Sequence, residues 1–232
     1  MQIRSPFIHP EIGEWWLMRS NCIPYIISFL YLMSLFFIRK TVHRNEDPEN
    51  YIRSANTILK TFIYVMAMMN WSLMIFFVYM TVELDYKWTC ELPSKPLKSQ
   101  GTIRAFQALF GETQQEETKR MELLLAGGVW WYLIAKVLEF IDHGVLVLRN
   151  DAVSLVQVGH HISMVLLSWL ALKHAPGGST IIWMIFNCGY LAVTYTMHVF
   201  RHLFMDKNEV GLMLWREHFL PWIYRLQNVP NA

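Results

Sequence analysis

Long apolar runs separated by polar breaks extend along most of the chain. The first is Ile23–Ile38, entered from Trp15-Trp16, a pair suited to the membrane–water interface. Arg39–Arg53 follows and reads as a polar loop. The second run is Thr61–Val82. A long mixed segment, Glu83–Glu122, then contains Pro93, Pro96 and a charged stretch from Glu112 to Glu122. Its apolar part, Ile103–Phe110, is too short to cross a bilayer and reads as interfacial. The third run is Leu123–Leu148, closed by a tight turn at Arg149-Asn150-Asp151. The fourth is Val153–Leu172, closed by the breaker Lys173–Ser179 with Pro176-Gly177-Gly178. The fifth is Thr180–Met197 or slightly longer, followed by the mixed stretch His198–Glu209. Val210–Ala232, interrupted by Arg216-Glu217-His218 and Pro221, reads as an incomplete sixth span. The pattern predicts an all-α, polytopic membrane helix bundle in one membrane domain, residues 1–232.

Composition sharpens this picture. The chain has 232 residues, is 54% hydrophobic and carries 10 Trp, 14 Phe and 14 Met, a load that a soluble domain of this size rarely holds. Net charge is only +2, so no nucleic-acid partner is expected. Cys22, Cys90 and Cys188 have no metal-site spacing; a Cys22–Cys90 pair is left open by the sequence, and Cys188 reads as packing. Met1–Ser20 has no apolar core with a small-residue cleavage site, so no secretory signal is expected. Basic residues divide evenly between the two sides of the membrane. Those after the first span lean towards an outside amino terminus.

The third span carries ionisable residues inside its apolar run. Lys136, Glu139 and Asp142/His143 lie at i, i+3 and i+6/i+7, on one helix face. Charges on a lipid-facing stripe are untenable, so these must face inward and pair. They form either a structural ion-pair ladder or part of a reaction centre. In the fourth span Gln157, His160 and His161 share a face at i, i+3 and i+4. Imidazole is nucleophilic, carries protons near neutral pH and ligates metal; alternatively it satisfies a core hydrogen bond. In the fifth span Asn187 and Tyr195 are candidate donors to a bound carbonyl, or glue between helices. His198 and His202 are spaced i, i+4 but sit at a span end beside Arg201, where solvent or head groups are the natural partners. No metal is assigned, because His143, His160, His161, His198 and His202 are too few and wrongly spaced for a di-iron membrane oxygenase.

At these residues the chain resembles the ELO family of very-long-chain fatty acid elongases. Lys136-x-x-Glu139-x-x-Asp142, with the apolar run to Arg149, is similar to the family's KxxExxDT. Gln157-x-x-His160-His161 is similar to its HxxHH motif in the QxxHH form. Asn187 and Tyr195 fit the family's N-x-x-x-H-x-x-M-Y-x-Y-Y region, and Leu226-Gln227 resembles the LQxxQ that opens its sixth span. The resemblance runs from the first span to the carboxyl end, and the first two motifs are its specific part. There are departures: His143 stands for the family's Thr, Leu191 for its span-5 His, Thr194 for its Met, and Met197 and His198 for its final tyrosines.

The resemblance implies a multi-pass endoplasmic-reticulum protein, built as an inverted barrel around an acyl tunnel. It implies condensation of long-chain acyl-CoA with malonyl-CoA to 3-oxoacyl-CoA, CO₂ and CoA, with no cofactor. His160 would take the acyl group, with His161 and Gln157 completing the catalytic motif. Lys136, Glu139, Asp142, His143, Arg149, Asn187, Tyr195 and His198 would bind substrate or organise the site. The lipid bilayer, the two CoA esters and an oligomer with itself or with other elongation-cycle enzymes are the implied partners. The other expectation is an inactive elongase-like protein that binds acyl-CoA or pairs with active relatives.

Overall fold

The structure is a computed structural model in which residues 12–44, 48–83, 114–148, 153–174 and 180–200 are described. They form helices α1 (Ile23–Arg44), α2 (Pro48–Glu83), α3 (Gln114–Leu148), α4 (Leu155–His174) and α5 (Thr180–Phe200), preceded by a short 3-10 turn at Ile12–Glu14. All five helices are long and apolar enough to cross a membrane. The chain is a multi-pass helical membrane bundle, as the pattern of apolar runs predicts.

One expected loop is largely helical instead, and the described end of another is helical too. α1 continues to Arg44 and α2 begins at Pro48, so most of Arg39–Arg53 is helix. α3 begins at Gln114, inside the segment expected to stay irregular until Glu122. Polarity marks where a chain leaves hydrocarbon, not where its helix stops. Arg, Lys, Gln and Glu are good helix formers, and Pro48 stands at a first helical position, where its missing N–H costs nothing. With 36 residues α2 is about 54 Å long at about 1.5 Å per residue, well beyond a hydrocarbon core of about 30 Å. The incomplete sixth span, the interfacial Ile103–Phe110 and Arg149 lie outside the described residues. So does Cys90; Cys22 is a free, exposed thiol and Cys188 is buried.

α3 is the hub. It packs against α1, α2 and α4, while α5 packs chiefly on α2. It is also the most buried of the spans, and α1 the least. A Cβ on Gly128 would fall 2.1 Å from the Phe76 ring, so α2 and α3 approach through a position that admits no side chain. Gly189 plays a milder version of this role between α5 and α2, where Met74 Sδ would stand 3.2 Å from an added Cβ. Phe77, Met80, Val129, Tyr132 and Leu133 fill the main core, and Phe62, Met66 and Tyr195 form a smaller one between α2 and α5. Phe29, Met68, Val82 and Phe186 point outward, as a helix bundle in lipid allows.

One end is closed by the segment before α1. Leu17 is buried, and its carbonyl accepts a 3.1 Å hydrogen bond from Trp169 Nε1. Lys173 lies 4.6 Å over the Trp169 ring and also hydrogen-bonds Asn21. Trp15 and Trp16 meet Trp130 edge-on at 6.3 and 6.4 Å. The tryptophans expected at an interface are therefore also a packing lock.

Candidate active site

The polar cluster lies towards the opposite end, where the carboxyl half of α3 meets the start of α4. The spacing on α3 sets it up: residues three and four apart share a face, and that face looks into the bundle. Lys136 and Glu139 are buried, with side chains 1% and 3% exposed, and pair at 2.6 Å through Nζ and Oε1. Lys136 also sits 5.0 Å from the Tyr132 ring centroid. A buried ion pair needs further partners for its remaining polar atoms. Glu139 has one in α4: its Oε2 lies 3.3 Å from Nδ1 of His161. The contact is within ion-pair range but too poorly aligned for a hydrogen bond, so His161 Nδ1 has no bonded partner. A carboxylate beside Nδ1 orients the ring and leaves Nε2 turned away from it.

His161 has a second imidazole beside it. His143, buried on α3, meets it edge to face with ring centroids 4.5 Å apart. His160 lies 5.4 Å from His161, also nearly perpendicular, but is exposed on the outer side of α4. The adjacent histidines thus divide: His161 is held against α3 by Glu139, and His160 is open to an incoming group.

Gln157 is exposed, and its side chain is engaged in capping the start of α4. Its Oε1 accepts from Ser154 N at 3.2 Å, while Ser154 Oγ accepts from Val156 N at 3.2 Å. This is a capping box, with Ser154 as the N-cap and Gln157 three residues on. The S-x-x-Q signature of this cap is present in the sequence.

α5 joins from the other side of α3. Tyr195 donates to Asp142 Oδ2 at 2.8 Å, and Tyr132 donates to Asn187 Oδ1 at 3.0 Å. Asn187 and Tyr195 therefore tie α5 to α3. His198 is half-buried, one turn beyond Tyr195. Leu191 packs against the small α2–α5 core, so that position offers hydrocarbon. Two participants were not singled out from sequence. Tyr132 is one turn before Lys136 and continues its ladder, a signal that was there to use. Tyr31, in α1, whose ring centroid lies 6.2 Å from that of His143, had none: it is one aromatic in an apolar run. Among the described residues, no three His, Cys, Asp or Glu side chains converge as metal ligands.

An apolar hollow of about 890 Å³ lies between α2 and α3, lined by Tyr64, Met68, Phe76, Leu124 and Trp131 among others. It is open to the outside, as Met68 and Trp131 show, and none of the ionisable cluster lines it.

Fold and site together define a multi-pass helical membrane protein with a buried Lys–Glu–His centre shared by two adjacent spans. Residues 16–219 match the model of the ELO (GNS1/SUR4) family, and the chain belongs to that family. It is 26% identical over 200 residues to human very long chain fatty acid elongase 5, covering 82% of this chain and 52% of that protein. It is 39% identical over 59 residues to mouse very long chain fatty acid elongase 4, covering 25% and 19%. It is 30% identical over 89 residues to fatty acid elongase 6 of Leishmania major, covering 38% and 23%. The chain thus spans about half the length of human elongase 5 and less of the other two.

Proposed function

We propose that the protein is a very-long-chain fatty acid elongase of the endoplasmic-reticulum membrane, condensing long-chain acyl-CoA with malonyl-CoA to 3-oxoacyl-CoA, CO₂ and CoA. The observation that carries this reading is the division between the two histidines across the α3–α4 contact. His161, flanked by Glu139, manages protons; His160, exposed beside it, accepts the acyl group. Lys136 holds Glu139 in place. His143, Asp142, Asn187 and Tyr195 organise the centre, and Arg149 and His198 stand with them as substrate-contact candidates. Family membership and the elongase names of the relatives support the same chemistry. The reaction needs no resident cofactor in this reading, and its partners are the two CoA esters, the bilayer and other elongation-cycle enzymes.

Leu191 favours a second reading, an inactive elongase-like protein that binds acyl-CoA or pairs with active relatives, because it puts hydrocarbon where the family carries a histidine. One experiment separates the two. Membranes containing the full chain are given long-chain acyl-CoA and malonyl-CoA labelled at its methylene carbon. Labelled 3-oxoacyl-CoA above an empty-vector control, lost in His160→Ala, is the expected result. Absence of product across acyl chain lengths would sink the elongase reading.

A further inference from the structure

Where α1, α3 and α4 meet, polar atoms are buried without hydrogen-bond partners. They are the Tyr31 hydroxyl and His143 Nδ1; His161 Nδ1, beside them, has only the poorly aligned Glu139 Oε2 at 3.3 Å. Tyr31 and His143 are each 4% exposed. Their ring centroids are 6.2 Å apart, and His143 is 4.5 Å from His161. Tyr31 is also stacked flat on Phe140 at 3.9 Å, so its ring is fixed by its neighbour on α3. Buried polar groups are ordinarily satisfied, above all in a bundle surrounded by lipid. Two such orphans at one junction mark a place for a bound group.

The chemistry of the donors narrows that group. A phenol and a neutral imidazole both offer a hydrogen to an oxygen lone pair. Lys136, the cation beside this junction, is already paired with Glu139, and a buried anion would need a cation of its own. A neutral carbonyl oxygen meets both conditions. We propose that Tyr31 and His143, beside His161, form a subsite for the thioester carbonyl oxygen of a bound acyl-CoA. This deepens the elongase reading and rests on it for the identity of the ester. The donors are held in place before the substrate arrives, so they also meet any negative charge that develops on that oxygen. His143 is then more than a stand-in for the family's Thr: it brings a second imidazole to His161 from the neighbouring helix.

The test reads the carbonyl directly. Purified full-length protein in lipid nanodiscs, carrying His160→Ala so that the thioester stays intact, is mixed with palmitoyl-CoA bearing ¹³C at the thioester carbon. Difference infrared spectroscopy then follows the labelled C=O band. The band is expected to move to lower frequency on binding. Tyr31→Phe, which keeps the stacked ring, and His143→Thr, which installs the family's residue, should each return it towards its free position. With His160 present, each variant should lose about 10²-fold in kcat with KM little changed, the size expected for removing one such donor. An unshifted band in the parent protein overturns the subsite, as does a shift that survives both variants; water alone would then occupy the junction. A shifted band with no product from the His160-containing protein keeps the subsite and sinks the elongase reading. Product formation at parental rates in Tyr31→Phe and His143→Thr leaves the elongase reading standing and removes the subsite.

Discussion

Glu139 holds two partners at once, Lys136 through one oxygen and His161 through the other. Removing it does more than delete a contact, because it strands the Lys136 ammonium in the bundle interior. Glu139→Gln should therefore destabilise the protein by about 3–5 kcal/mol, the usual cost of breaking a buried pair from one side. Thermal unfolding in detergent measures this. Replacing both partners, Lys136→Met with Glu139→Leu, should recover most of that stability, since the pair's desolvation cost then disappears. The double variant should still make no product. If it were active, the pair would be structural and His161 would need no carboxylate. At this scale the sequence was informative about α3: its charges had to face inward, and they do. It was silent on Tyr31, because nothing in an apolar run says which aromatic will lie against a polar junction. It was equally silent on which of the adjacent histidines would meet Glu139.

The start of α4 is decided locally. Ser154 and Gln157 satisfy donors that the first helical turn leaves unpaired. Gln157→Glu keeps the capping geometry and should leave turnover within a few-fold of the parent. Ser154→Ala should cost about 1 kcal/mol of stability. Unfolding midpoints and initial rates of both variants check the assignment; a large loss of rate in Gln157→Glu at unchanged stability would return Gln157 to the chemistry. Element cores were legible from hydropathy, but their ends were not. α1, α2 and α3 run beyond the apolar stretches because charged helix formers prolong a helix once it has left hydrocarbon.

The bundle as a whole depends on how closely α2 approaches α3. Phe76 occupies the space that a side chain at residue 128 would need. Gly128→Ala should lower stability by about 1–3 kcal/mol through overpacking. Adding Phe76→Leu should relieve part of that loss, and a double-mutant cycle on unfolding midpoints reads the coupling. No such effect in Gly128→Ala would mean that the helices separate freely there. Hydropathy and periodicity alone determined that the chain is a helical membrane protein and that α3 has a polar inner face. These follow from local rules, since lipid rejects unpaired charge and a helix repeats every 3.6 residues. Only the tertiary structure decided that His161 turns to Glu139 while His160 faces out, that Tyr195 and Asn187 bind α3, and that Tyr31 completes the junction. Those outcomes depend on which helices touch and at what rotation, quantities set by side-chain packing between residues far apart in the chain.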